Sequence, residues 1–129
     1  MLKNRKLTPV EWEIMDAVWN IGGNPSVRNV LELACPNGEK AYTTVQTVMN
    51  TLVKKGLLDC KKIGLVNFYT PVFSKKDIVK TEMTSLVSRI FNGSIPALAN
   101  FLIDSDELSL EDIQKIRQRL DKKENDLKG

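Results

Sequence analysis

Ala41-Tyr42-Thr43-Thr44-Val45-Gln46-Thr47-Val48-Met49-Asn50-Thr51-Leu52-Val53-Lys54-Lys55-Gly56 has two distinct faces when read at helical period. Val45, Val48, Met49, Leu52 and Val53 share one face, the i, i+3, i+4, i+7 spacing of an amphipathic helix docked on a core. The other face carries Thr43, Thr44, Gln46, Thr47, Asn50 and Thr51, with Lys54 and Lys55 at its end. Thr and Asn are mediocre helix formers, so packing has to hold this segment helical. Short uncharged donors and acceptors followed by lysines suit a DNA major groove, where amides and hydroxyls meet base edges and lysines meet phosphates. The segment therefore reads as a recognition helix, with Thr43, Thr44, Gln46, Thr47, Asn50 and Lys54 as its DNA-binding candidates. A weakly patterned surface helix would show the same Thr-rich face, so the flanking sequence has to decide.

Upstream, Leu7-Thr8-Pro9-Val10-Glu11-Trp12 is a dense helix start. Thr8 is the N-cap, Pro9 takes the first helical position, Glu11 closes a capping box, and Leu7 is placed to staple onto Trp12. Ile14, Met15, Val18 and Trp19 continue the helix until Gly22-Gly23 ends it. Both tryptophans read as core or subunit-contact residues. A second helix opens at Pro25-Ser26, with Val27, Val30, Leu31 and Ala34 inward, and Cys35-Pro36-Asn37-Gly38 breaks it. Two helices and a turn leading into a helix with a polar outer face form the helix-turn-helix arrangement.

Downstream the period changes from helix to strand. Leu57 to Ile63 and Val66 to Thr70 read as two strands around a tight turn at Gly64, closed by Pro71. Helix-turn-helix followed by such a hairpin is a winged helix. Lys61 and Lys62 lie on the wing, where they either meet phosphates or protect an exposed sheet edge.

The back half reads as helical. Ser74 to Asp77 is a capping box opening a helix with Ile78, Val79, Met83, Leu86, Val87, Ile90 and Phe91 as its apolar positions, stopped by Asn92-Gly93. Ile95 to Ile103 follows, and then, after a capping box at Ser109 to Asp112, a helix carrying Ile113, Ile116 and Leu120. These apolar faces are wider than one small hairpin can cover, which calls for a second copy of the chain, since symmetric pairing is the commonest assembly. The expected dimerisation residues are Ile90, Phe91, Leu98, Phe101, Leu102, Ile113, Ile116 and Leu120. The fold class is thus mainly α with a small β-hairpin. A winged-helix DNA-binding domain is expected over residues 1–73, a helical dimerisation domain over 74–123, and a charged, frayed tail over 124–129, with fraying setting in from Asp121.

Composition narrows the function. Residues 1–80 hold 12 Lys+Arg against 7 Asp+Glu, a net of +5, while residues 81–129 hold 7 against 9, a net of −2, so the front half is the one suited to a polyanion. Cys35 and Cys60 are far apart in sequence, without a CxxC and without any histidine, which argues against a disulfide framework or a zinc site. No cofactor is expected. No apolar run reaches membrane-spanning length, and Met1 to Lys6 lacks the hydrophobic segment of a signal peptide, so a cytoplasmic protein is expected. With no histidine, no glycine-rich phosphate loop and no paired carboxylates beside a pocket, an enzyme is not expected.

Leu7 to Met15, Ser26 to Leu31, Ala41 to Thr47, Leu52 to Leu58 and Tyr69-Thr70-Pro71 together resemble the penicillinase repressor family, of the BlaI, MecI and CopY type, in order and approximate spacing. The resemblance implies a homodimeric winged-helix repressor that binds a dyad-symmetric operator, an inverted repeat in double-stranded DNA, in the promoter of a resistance or stress operon. In the β-lactam-responsive branch it implies release by proteolysis after signalling by a membrane sensor with a metallopeptidase domain. The family's cleavage point, an Asn-Phe bond, falls here on Asn100-Phe101, although Leu98, Phe101 and Leu102 at helical spacing are equally what a dimer core needs. Two departures stand out. The chain ends without the cysteine-rich metal site of the copper-responsive branch, and Asn67 stands in the wing where the family more often has an aromatic. A winged-helix protein-interaction module that has lost DNA binding is the alternative, since fold alone does not fix function; the polar outer face of Ala41 to Gly56 argues against it.

Overall fold

The computed structural model describes residues 6–129, so the reading of the opening segment lies, for residues 1–5, outside the described residues. The elements follow in the order α1 (Pro9–Ile21), α2 (Val27–Ala34), α3 (Tyr42–Lys54), β1 (Leu58–Ile63), β2 (Val66–Pro71), α4 (Lys75–Ile90), α5 (Ile95–Ile103) and α6 (Leu110–Lys128). They form two compact units, Met1–Met83 and Thr84–Gly129.

Local signals set most element starts in the first unit. The Thr8 hydroxyl accepts from the Glu11 amide at 3.2 Å while Glu11 accepts from the Thr8 amide at 2.8 Å, a reciprocal capping box. Ser26 and Asn29 repeat the arrangement at the head of α2. Gly22 ends α1 with φ +74°, a conformation that costs glycine nothing. Ile14, Met15 and Val18 of α1, Val30 of α2, Val45, Met49 and Leu52 of α3, and Leu57, Leu58 and Tyr69 of the hairpin are buried in one core. Leu31, Ala34, Trp12 and Trp19 pack partly buried against it. The Trp19 indole donates to the Phe73 carbonyl at 3.0 Å, pinning the exit of the hairpin to α1.

Packing outweighs propensity in α3. Each Thr or Asn costs up to about 0.7 kcal/mol against Ala in a helix, whereas burying a Val, Met or Leu completely contributes about 1.5–3 kcal/mol. Val45, Met49 and Leu52 are all fully buried, so the helix holds although Ala41 gives it no side-chain cap.

The wing is a two-stranded antiparallel sheet in which Cys60 faces Tyr69, Lys61 faces Phe68, and Ile63 faces Val66. Gly64 (φ +64°) and Leu65 make the two-residue connection, with positive φ only at the first position, the glycine-first pattern of a type II′ hairpin. Strand β2 is held on its other side by the Ser26–Phe68 bridge and by the Tyr69 amide donating to the Pro25 carbonyl at 2.9 Å.

In the second unit, Asn92 (φ +51°) and Gly93 (φ +81°) turn the chain after α4, and Ser94 caps α5 by accepting from the Ala97 amide at 3.1 Å. Ser109 and Asp112 form the expected capping box of α6. The helix then continues to Lys128 rather than fraying from Asp121. Lys122, Lys123, Glu124, Leu127 and Lys128 of its end are good helix formers, and Glu124 lies 3.8 Å from Lys128 in the favourable i, i+4 order. No residue of α5 or α6 is buried. No single helix among the described residues is long and apolar enough to cross a membrane.

Candidate nucleic-acid interface

Helix α3 presents Thr43, Thr44, Thr47, Asn50 and Lys54 on its exposed side, with Gln46 half-buried beside them. The hydroxyls there do not all have their protons available. Thr47 Oγ1 donates to the Thr43 carbonyl at 2.9 Å and Thr51 Oγ1 donates to the Thr47 carbonyl at 3.0 Å. This bonding back to the preceding turn leaves lone pairs, not protons, facing outward. Arg28 of α2 stands with its guanidinium 5.7 Å from the centre of the Tyr42 ring, a cation–π pair at the amino end of the helix.

Lys55 does not belong with this exposed row, although the sequence pattern places it beside Lys54. Its ammonium lies 2.7 Å from Glu11 Oε1 and 3.2 Å from the Lys6 carbonyl oxygen, which it donates to. Burial pushes the Glu11 carboxyl up, but the Lys55 hydrogen bond and charge and the two Thr8 contacts outweigh it and hold the group below its ordinary value. Lys55 thus locks the end of α3 to the start of α1, leaving Lys54 as the exposed cation of that pair.

The wing lysines separate as well. Successive side chains of a strand point to opposite faces, so Lys61 shares a face with Phe68, and Lys62 shares the other with Cys60, Asn67 and Tyr69. That second face meets α3: the Tyr69 hydroxyl, fully buried, donates to Asn50 Oδ1 at 2.9 Å. Burial first, and then the adjacent Cys60 thiol, raise the Tyr69 phenol above its usual range, so it keeps the proton it donates. Strand β1 is the free edge of the hairpin, and both lysines sit on it, which suits edge protection as well as phosphate contact.

In the second unit, Leu86, Ile90, Phe91, Leu98, Phe101 and Leu102 line one apolar surface, with the Phe91 and Phe101 rings 6.2 Å apart. Phe101 is 63% exposed and Leu102 50%, large apolar groups in contact with water. Ile113, Ile116 and Leu120 of α6 are exposed too. Among the described residues no cluster of His, Cys, Asp and Glu is arranged to hold a metal ion.

The penicillinase repressor family profile matches residues 7–122, nearly all of both units. The chain belongs to the penicillinase repressor family. Within it, the chain is 27% identical over 125 residues to the penicillinase repressor of Bacillus licheniformis, covering 97% of each. It is 25% identical over 121 residues to the methicillin resistance regulatory protein MecI of Staphylococcus aureus strain N315, 94% of this chain and 98% of that one. It is 30% identical over 115 residues to an uncharacterized 16.5 kDa protein of Latilactobacillus sakei, 89% of this chain and 78% of that one. Penicillinase repressors are transcriptional repressors, not enzymes, and the exposed polar face of α3 belongs to a chain whose family acts on operator DNA.

Proposed function

We propose that this member of the penicillinase repressor family works as a homodimer on an inverted-repeat operator in the promoter of a resistance or stress operon. The observation that carries the reading is the row Thr43, Thr47, Asn50 and Lys54, exposed on a helix that buries Val45, Met49 and Leu52 completely on its opposite face. Thr43, Thr44, Gln46, Thr47 and Asn50 take base edges and nearby backbone, while Lys54 and the wing lysines Lys61 and Lys62 take phosphates. The domain division follows the same logic: residues 1–73 read DNA, and the helices from residue 74 onward pair two copies.

Dimerisation rests on the second unit's uncovered apolar surface. Ile90, Phe101, Leu102, Ile113, Ile116 and Leu120, with Phe91 and Leu98 half-buried, carry too much exposed apolar area for a surface that stays in water. A two-fold dimer sets two recognition helices over half-sites about one helical turn apart, roughly 34–36 Å, or a multiple of that. Separating the copies removes the effective concentration of the linked second site, so dimerisation is where repression is controlled.

Release by cutting the Asn100–Phe101 bond, after signalling by a membrane sensor, fits this control point. The bond lies inside α5, whose Asn100 carbonyl accepts from the Asp104 amide at 3.0 Å, so a protease needs the helix to open locally. A nine-residue helix with no buried residue opens at low cost. The relatives' names, a penicillinase repressor and a methicillin resistance regulator, support an operon of the resistance kind.

The deciding experiment is an electrophoretic shift with DNA from the gene's own promoter against scrambled DNA of equal length, at two salt concentrations. Specific retardation that survives the higher salt, with a footprint over an inverted repeat, is the expected result. Equal, steeply salt-dependent binding to both DNAs would leave a basic surface without readout, and no retardation at low salt would favour a protein-interaction module.

A further inference from the structure

An Asn side chain that reads a base normally does so with both ends of its amide. Against adenine, the oxygen accepts from N6 and the nitrogen donates to N7. Asn50 does not have both ends free, because Oδ1 receives the hydroxyl proton of Tyr69, from the wing, at 2.9 Å. A phenol has one proton to donate, and the Tyr69 hydroxyl gives its own to Asn50 Oδ1. Asn50 therefore meets Tyr69 with its oxygen. Tyr69 is fully buried whereas Asn50 is exposed, so the anchored oxygen is turned inward and the NH2 group is the end left toward solvent.

We propose that Tyr69 makes Asn50 a donor-only reader, so that at the base it meets Asn50 selects guanine over adenine. The inference rests on the DNA-reading role proposed for α3 and adds a base preference to it. Guanine offers two acceptors, N7 and O6, at the major-groove edge, matching two N–H groups, whereas adenine offers one acceptor and sets its N6 amino group against a second donor. Tyr69 acts through Asn50 as a positioning residue.

The test uses the full chain and an operator selected by the wild-type protein from random duplexes, with each base then placed at each half-site position. Asn50→Ala identifies the position read by Asn50 as the one at which discrimination disappears. There the wild type should favour guanine over adenine by about 5- to 150-fold, the ratio expected of one good bidentate contact. Tyr69→Phe, which keeps the buried ring and removes only the hydroxyl, frees the amide to rotate and should bring that ratio within about threefold of unity while other positions keep theirs. Preference for adenine in the wild type, an unchanged ratio in Tyr69→Phe, or no position altered by Asn50→Ala would each overturn the inference and leave operator binding standing. Failure of the wild type to select any sequence would overturn both. If Tyr69→Phe does not fold, the guanine preference of the wild type is joined by a spectroscopic readout: the Tyr69 hydroxyl proton should exchange slowly enough to be seen by NMR in the wild type and vanish in Asn50→Ala. Fast exchange in the wild type would count against the contact.

Discussion

Glu11 Oε1 and Lys55 Nζ lie 2.7 Å apart, with the glutamate side chain 6% exposed and the lysine 30%. One carboxylate thereby serves two helices: it closes the capping box of α1 and receives Lys55 at the end of α3. Helix α3 is held in place by this ion pair at its end and by Tyr69 along its length.

Replacing that carboxylate should cost stability in a pH-dependent way. Glu11→Gln leaves Lys55 without its counter-ion and should lose about 1–3 kcal/mol at pH 7, toward the lower end because Lys55 is partly solvated. The Glu11 carboxyl titrates below its ordinary value near 4.5 when folded. Its contribution is therefore fully present above that ordinary value and lost as pH falls through the lower folded one. Urea unfolding at pH 7 and again near pH 3 should show the gap between wild type and variant closing; an equal gap at both would contradict the ion pair.

Base readers and phosphate contacts should separate by salt dependence. Thr44→Ala and Gln46→Ala should each weaken the selected operator by about 1–3 kcal/mol with little effect on random DNA, whereas Lys54→Ala should weaken both alike and lower the salt slope by about one. Binding titrations over a range of salt distinguish the two. Equal losses on both DNAs from all three variants would defeat the division of roles.

The two wing lysines should not be equivalent. Lys62 shares the face of the wing that meets α3, and Lys61 the opposite one with Phe68. Lys62→Ala is expected to lower the salt slope by about one and Lys61→Ala to leave it unchanged, the latter instead favouring aggregation through the free edge of β1. Identical slopes for the two variants would mean that the pleat does not govern the contact.

Charge placed on the apolar surface of the second unit should dissociate the repressor. Phe101→Asp buries a carboxylate in any pairing that covers Phe101, and Leu98→Asp does the same one turn earlier. Sedimentation should show monomers where the wild type is dimeric, and affinity for a full inverted repeat should drop toward that for one half-site while the winged helix keeps its fold. A variant that remains dimeric would move the interface elsewhere.

What could be read from the sequence was governed by distance along the chain. Thr8, Ser26 and Ser109 announce their helices because a cap and its partner are three residues apart, and Gly64 announces the hairpin because a two-residue loop asks for that backbone. The buried face of α3 followed from periodicity alone. Lys55 was indistinguishable from Lys54 because its partner Glu11 lies 44 positions away, and Asn50 looked like a free amide because Tyr69 lies 19 positions away. Alternation in β2 already put Asn67 and Tyr69 on one face, but only packing shows that this face meets α3. Arg28 over Tyr42 was likewise invisible without the turn between α2 and α3. The end of α6 escaped for another reason: a run of charges reads as fraying unless its i, i+4 order is counted.

The hairpin's two-residue connection also limits how this repressor can change over generations. Since side chains alternate, a single residue gained or lost within β2 between Val66 and Tyr69 would put Phe68 where Tyr69 meets α3, or turn Tyr69 outward, and Asn50 would lose its anchor in one step. Length changes at the tip, around Leu65 with its 96% exposure, leave the paired register below untouched. Drift in wing length is therefore expected at the tip, and the stem below it should keep its count while the residues around it are replaced.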